Sequence, residues 1–397
     1  MTGPLYLAWR YLVFHRVKAA ILVVSISLIA FLPAGLNVLV GESAAQLRAR
    51  AEATPLLLGA KGSPLELSLS SLYFESREPA SVSYDEVERV VASGLADAIP
   101  LHVGFRAASH PIVGTELGYF AWRGLEVARG RPAAMLGECV LGAEAARSLG
   151  VGPGDAVVSS PESVFDLAGV YPLRMRVAGV LAPSHGPDDR AVFVDLKTAW
   201  VIAGLGHGHA DLREAKSAAA VLRQETGPGG ERIVANASVK EYNEIDAENA
   251  ASFHFHGDLS SYPITAVLVL PPDDKSRALL MGRYTAPDET VQVLRPIGVI
   301  DDLLGTVFTV QGYVVAALGL VAAATLATAA LVFALSVRLR RREVETLVKI
   351  GGSRGSIAVV LLAEVIFVLL CSGVLATGLT LATERLVGSA IRSLLLS

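Results

Sequence analysis

Three long apolar runs dominate the hydrophobic pattern of this chain: residues 19–40, 306–337 and 357–383. About 20 consecutive apolar residues cross the hydrocarbon core of a bilayer, so each run is long enough to span it. The first run carries no charged residue and contains Pro33, which membrane helices tolerate because neighbouring groups re-satisfy the freed backbone. It exceeds the roughly 7–15 apolar residues of a cleaved signal peptide, which predicts a retained anchor. The second run is longer than a span requires and predicts tilt or projection beyond the bilayer. Ahead of the first run, residues 1–18 mix Tyr6, Trp9, Tyr11 and Phe14 with Arg10 and Arg16, the pattern of an amphipathic helix on the inner interface.

Between the first and second runs the pattern changes character. Residues 111–114, 175–181, 191–194 and 265–270 are short and rich in β-branched residues, as strands are. Residues 84–93, 142–149, 210–225 and 239–250 carry helical periodicity. Gly and Pro clusters at 227–230 and 271–274 predict turns. Residues 42–52 extend the first helix as a stalk, and residues 289–304 predict a second helical stalk before the second span. The fold class that follows is a membrane protein. It has three transmembrane α-helices and a large extracytoplasmic mixed α/β domain, residues 41–305, inserted between helices 1 and 2.

Charge orients this layout. Residues 41–305 hold 23 Lys and Arg against 34 Asp and Glu, a net of −11, while the remainder holds 11 against 4, a net of +7. Arg10, Arg16 and Lys18 precede the first span, and Arg338, Arg340, Arg341, Arg342, Lys349 and Arg354 lie between the second and third. Basic residues gather on the cytoplasmic side, so the N-terminus and residues 338–356 are expected there. Residues 41–305 and a tail at 384–397 are then expected outside, in an inner-membrane protein with a periplasmic domain. An acidic outer domain excludes nucleic acid as a partner. Cys139 and Cys371 read as buried small apolar residues rather than a disulfide, because Cys371 falls within an apolar run.

Candidate chemistry is sparse. Gly59-Ala-Lys-Gly-Ser63 lacks the spacing of a phosphate-binding loop and reads as a turn after an apolar strand. No His-Glu-x-x-His pair occurs, and no enzyme active site is expected. Glu364 lies within the third run, where a carboxylate is costly. It reads as a structural partner near the cytoplasmic end of that helix rather than as an ion relay. Seven of the eight histidines lie in the outer domain, four of them as His207-Gly-His209 and His254-Phe-His256, with Asp211 and Asp258 two residues beyond each pair. Alternate strand residues share a face, so each pair presents two imidazoles together, a candidate zinc, copper or nickel site. The opposing reading is surface loop histidines without a ligand. Residues 343–350 have helical spacing that ends in Gly351-Gly352, more than topology alone needs.

Four stretches carry a family resemblance: the basic and aromatic N-terminus entering the first span; residues 112–120 with 124–131; residues 138–155 with 177–181; and residues 342–354 continuing to 362–365. The chain resembles permease subunits of the MacB/FtsX-like ABC transporter family, the class of lipoprotein-releasing permeases. That resemblance implies a separate ABC ATPase that binds ATP, and a second permease subunit in a homo- or heterodimer. It assigns ATPase coupling to Arg342, Glu343, Val344, Leu347, Val348, Lys349, Ile350, Gly351 and Arg354. Family members usually have four membrane helices, whereas this chain shows three runs. The function implied is mechanotransmission: ATP hydrolysis on the partner drives the outer domain to act on a lipoprotein, lipid or other hydrophobic cargo. Activation of an envelope enzyme and a metal-linked role of the paired histidines are the alternatives.

Overall fold

The structure is a computed structural model, and it describes residues 3–75, 80–159, 172–208, 221–227, 230–235, 242–339, 341–349 and 353–394. The chain divides into two compact units, Met1–Gln46 with Leu303–Ser397, and Leu47–Asp302.

The first unit is helical: α1 (Gly3–Phe14), α2 (Arg16–Glu52, whose last residues belong to the second unit), and later in the chain the helices over Pro296–Leu339, Arg341–Lys349 and Arg354–Leu394. Three of these are long and apolar enough to cross a membrane. They pack through small and polar side chains, as membrane helices do because apolar surface gains nothing by leaving lipid. Ser27 and Ser372, both fully buried, interlock. Ser27 donates to the carbonyls of Val23 (2.6 Å) and Ser372 (3.1 Å), and Ser372 donates to Val368 (2.7 Å) and Val23 (3.3 Å). Gln311 donates to Asn37 at 2.6 Å. α1 lies against the last helix, with Trp9 and Phe367 ring centroids 6.1 Å apart. Leu320, Leu331 and Val374 are exposed, as lipid-facing residues are. Cys371 is also exposed on its helix, contrary to the buried position expected from sequence, because the buried stripe of that helix runs through Val368, Ser372 and Ala376.

The second unit is built on one mixed sheet. Its strands are β1 (Leu56–Ala60), β2 (Val82–Ser83), β3 (Asp97–Ala107), β4 (His110–Thr115), β5 (Val127–Gly130), β6 (Glu138–Leu141), β7 (Ala156–Val158), β8 (Arg174–Leu181), β9 (Val192–Asp195), β10 (Gly206–Gly208), β11 (Val221–Gly227), β12 (Gly230–Ala235), β13 (Phe253–Phe255), β14 (Pro263–Ile264), β15 (Ala266–Leu270) and β16 (Val291–Leu294). The main sheet runs β16-β1-β15-β3-β4-β9-β6-β8-β5, with β7 paired to β8. β4 with β9 and β6 with β8 are parallel; the other pairs are antiparallel. The helices are α3 (Pro64–Tyr73), α4 (Asp85–Ala92), α5 (Leu117–Arg123), α6 (Ala143–Leu149), α7 (Leu196–Ile202) and α8 (Asp274–Arg283); α9 (Pro296–Leu339), α10 (Arg341–Lys349) and α11 (Arg354–Leu394) complete the chain. Two cores form. One gathers around Leu141, Met175 and Val192, the other around Leu56, Leu58, Trp200 and Val267.

The strand β1 follows α2 and the strand β16 precedes α9, and these two strands are hydrogen-bonded neighbours, Leu57 opposite Leu294. The segments that lead to and from the membrane helices therefore enter the sheet side by side at one edge.

Several expected elements change identity. Residues 291–294 are a strand, not helical stalk. The helix starts only at Pro296, whose ring fixes the backbone angle of a first helical position and whose missing N–H costs nothing there. Residues 221–227 pair antiparallel with 230–235 rather than continuing a helix from 210: cross-strand pairing, from Val221 opposite Ala235 to Gly227 opposite Gly230, overrides the helical spacing of residues 221–225. The rest of that expected helix, 210–220, lies outside the described residues. Of the helix expected at 239–250, residues 239–241 lie outside the described residues; residues 242–249 are irregular, with a bridge from Glu244 to Arg174 and Asp246 accepting from Glu248 and Asn249 backbone N–H groups, a local alternative to helix that Asp favours. Helices α3, α7 and α8 are capped by Ser63, Asp195 and Asp273, whose side chains accept from Glu66 (3.2 Å), Lys197 (2.9 Å) and Ser276 (2.7 Å) N–H groups.

Candidate functional site

Four features of the fold could do work. The first is a buried ionic joint in the second unit, at the last turn of α2. Arg50 donates to Asp188 Oδ2 at 2.5 Å and Oδ1 at 3.0 Å, to Tyr119 Oη at 3.0 Å and to the Leu72 carbonyl. Tyr119 Oη donates to Asp188 Oδ1 at 2.6 Å. The Arg50 and Asp188 side chains are only 9% and 4% exposed. Burial pushes the Asp188 carboxyl up, but the Arg50 guanidinium and the Tyr119 hydroxyl outweigh it and hold it below the usual carboxylate range. Burial pushes the Tyr119 phenol well up. Tyr73, which donates to the Leu47 carbonyl at 2.6 Å, is pushed up by burial to about 12. Arg123 stacks on Trp122 and reaches Thr54 at 3.0 Å. Asp188 comes from the Pro187–Arg190 turn after β8, so the last turn of α2 is tied to residues far away in the chain. Sequence reasoning missed this joint: Asp188 lies in an ordinary polar turn, and no local pattern marks its partner 138 residues away.

The second feature is an apolar groove of about 1130 Å³ lined by Leu117, Phe120, Met135, Phe193, Phe253 and Phe255 among others, with Glu116, Glu126, Asp195 and Lys197 also lining it.

The third brings the histidines together. β10 and β13 form a two-stranded ribbon with His207 directly opposite His254, and His256 follows two residues on. The imidazole nitrogens of His207, His254 and His256 all lie within 4.8 Å of one another. The ring centroids are 4.7, 5.0 and 4.9 Å apart. His254 Nδ1 is 3.0 Å from the Ser252 carbonyl, so Nδ1 donates and the lone pair sits on Nε2. Each pair was expected to act within itself; the ribbon instead joins one member of the first to both of the second. His209 and Asp211 lie outside the described residues. Asp258 turns away to accept from Ser260 N–H at 3.0 Å and caps a 3₁₀ turn.

The fourth is α10, in the first unit. Residues 341–349 are helical, so positions 344, 347 and 348 fall at one-face spacing. Arg342, Val348 and Lys349 are exposed. Ile350 and Gly351 lie outside the described residues, as do the side chains of Glu343, Val344, Leu347 and Arg354. Glu364, ten residues into α11, is 3% exposed.

The MacB-like periplasmic core domain family matches residues 23–226, just over half of the chain. The chain belongs to this family. Its recognition as a MacB/FtsX-like ABC transporter permease is thus borne out, and with it an inner-membrane protein that carries a periplasmic domain. Among solved structures, the MacB-like chain is similar to the periplasmic region of MacB from Actinobacillus actinomycetemcomitans, with 10% identity over 64% of this chain and 94% of the other, at a TM-score of 0.33. It is also similar to a domain of a candidate permease protein from Porphyromonas gingivalis, with 11% identity over 60% and 86% and a TM-score of 0.25. No curated protein matches.

Proposed function

We propose that this MacB-like subunit transmits force: an ABC ATPase on the cytoplasmic side moves α10, and the motion reaches the periplasmic domain through α2 and α9. The family implies an ATPase partner and dimerisation in general. The observation that carries the force-transmitting reading is the Arg50–Asp188–Tyr119 joint on the last turn of α2, a helix that runs unbroken from Arg16 to Glu52. A helix that only anchored a domain would need no buried charge at its end, since removing two charges from water is expensive. The side-by-side entry of β1 and β16 supports the same reading, because both connections pull on one sheet edge. The apolar groove fits hydrophobic cargo such as a lipid or a lipoprotein acyl chain. The N-terminus and α10 face the cytoplasm in this reading, which rests on the distribution of basic residues.

The test is a distance measurement on the complex. Spin labels at Glu88→Cys, an exposed position on α4, in a Cys371→Ala background report the separation of the two periplasmic domains in a reconstituted dimer with its ATPase. ATP should change that separation. Leu347→Asp should remove both ATPase recovery and the change while leaving membrane insertion intact. ATP turnover with unaltered distances in the unmodified complex would overturn the proposal.

A further inference from the structure

The ribbon β10–β13 has two chemically distinct faces, and its short sequence explains both. Gly-His-Gly in β10 lies opposite Phe-His-Phe in β13, in the order Gly206–Phe255, His207–His254, Gly208–Phe253. A Cβ at Gly206 would come within 2.5 Å of the Phe255 ring, and one at Gly208 within 2.5 Å of the Phe253 ring. The glycines therefore leave room for two phenylalanines on one face, where both rings pack on the core and line the apolar groove. Period-2 alternation then sends His207, His254 and His256 to the other face. There the three rings stand against one another, two of the pairs T-shaped and the third tilted, with two rings half-buried and one exposed.

We infer that His207, His254 and His256 form a binding site for a divalent transition metal of the zinc type. Three neutral imidazoles are the donor set that zinc, copper and nickel favour over magnesium or calcium, which want oxygen. In a tetrahedral zinc site with Zn–N of about 2.0–2.1 Å the ligand nitrogens stand about 3.4 Å apart. Nitrogens already within 4.8 Å reach that by small side-chain rotations of two half-buried rings and one exposed ring. The His254 Nδ1–H bond to the Ser252 carbonyl is the outer-shell contact that fixes the tautomer of a ligating histidine, with Nε2 presented to the metal. Among the described residues three ligands converge, one short of the four that tetrahedral zinc takes. Because β13, which carries His254, also presents Phe253 and Phe255 to the groove, the metal pins the ribbon that forms part of the groove lining. This site is independent of force transmission, and either can fail without the other.

The experiment is zinc titration of the full-length protein in detergent, by calorimetry, with cobalt(II) as a spectroscopic probe. The wild type should take up one zinc per chain with micromolar or tighter affinity and should give the visible bands of tetrahedral cobalt. The double variant His207→Ala/His254→Ala should lose affinity by at least the roughly 10–100-fold that removal of an outer-shell partner alone costs, and should lose the cobalt bands. His185→Ala, an exposed histidine outside the cluster, should bind like the wild type. An unchanged thermal melt of the zinc-free double variant separates a lost ligand set from a lost fold. His207→Gln and His256→Gln serve as smaller changes if the double variant melts early. Absence of stoichiometric zinc in the wild type, or undiminished binding in folded ligand variants, overturns the inference.

Discussion

Arg50 reaches Asp188 with less than a tenth of either side chain exposed, held by a hydrogen-bonded tyrosine and a backbone carbonyl, whereas His256 stands open to solvent on a ribbon three residues wide. Both are clusters of polar groups in the same unit, yet they answer to different physics. The joint is closed: each of its charges has its partners inside the protein, so losing one strands another in low dielectric. The ribbon is open: its histidines keep contact with water, and its own pairing involves only three residue pairs. Closed polar networks fix geometry, and open ones remain able to exchange a ligand. The first suits a point where force enters a domain, the second a point where something binds.

The largest expected effect follows from that contrast. Arg50→Met keeps the volume of the stem but leaves the Asp188 carboxylate buried without its counter-ion, which costs about 3–5 kcal/mol. Thermal or chemical unfolding of the full chain in detergent measures it. Arg50→Met/Asp188→Leu should recover much of the loss, since an apolar pair of similar volume strands no charge. In contrast, His207→Ala should move stability little in the absence of metal. If Arg50→Met costs no more than His207→Ala, the distinction between a closed joint and an open ribbon is wrong.

How much of this was legible in sequence differs between the same two regions. The three apolar helices follow from run length alone, and the β4, β8, β9 and β15 segments from β-branched density. The His-x-His pairs were visible as candidate ligands because two similar motifs lie in one chain, but their association depended on the register of β10 against β13, which pairs residues 47 apart. Arg50, Tyr119 and Asp188 carry no periodicity, no motif and no spacing; only the completed fold brings them together. Helix α8 left a signal that went unused, an Asp at position 273 ahead of a run of good helix formers. The strand pair of 221–227 with 230–235 shows the converse, since residues 221–225 have helical spacing in sequence and become a strand only through their cross-strand partners.

An intermediate effect tests a third kind of polar group, one that is buried and unpartnered. His102 on β3 has no hydrogen-bond partner for either ring nitrogen, and burial pushes its pKa down to about 4. The unfolded chain binds the proton near 6.5 and the folded chain only near 4, so the unfolded state holds more protons between those values. Stability is therefore complete above pH 6.5 and declines as pH falls toward 4, by up to about 3 kcal/mol from this group. His102→Phe should flatten that part of the pH profile. A profile as steep in the variant as in the wild type between pH 6.5 and 4 would show that His102 is not its source.

The smallest effect sharpens the comparison most, because it changes only burial. Arg48 lies two residues before Arg50 and also binds an aspartate: its Nε and Nη2 donate to Asp301 Oδ1 at 2.8 and 2.6 Å. Here the side chains are 52% and 44% exposed, against 9% and 4% for Arg50 and Asp188. Water screens such a pair, and holding two long side chains costs rotamer entropy, so exposed ion pairs contribute about 0.2–1 kcal/mol. Arg48→Ala should thus cost less than about 1 kcal/mol, roughly a quarter of the Arg50→Met loss or below. Salt should separate the two further. Raising ionic strength toward 1 M shortens the Debye length to about 3 Å, which should erase the Arg48→Ala effect and leave that of Arg50→Met nearly intact. Asp301 sits in the first turns of α9 and Arg48 near the end of α2, so this pair bridges the two segments that lead toward the membrane helices. A salt-insensitive loss at Arg48 as large as that at Arg50 would mean that both arginines act as closed joints, and that exposure is not what divides them.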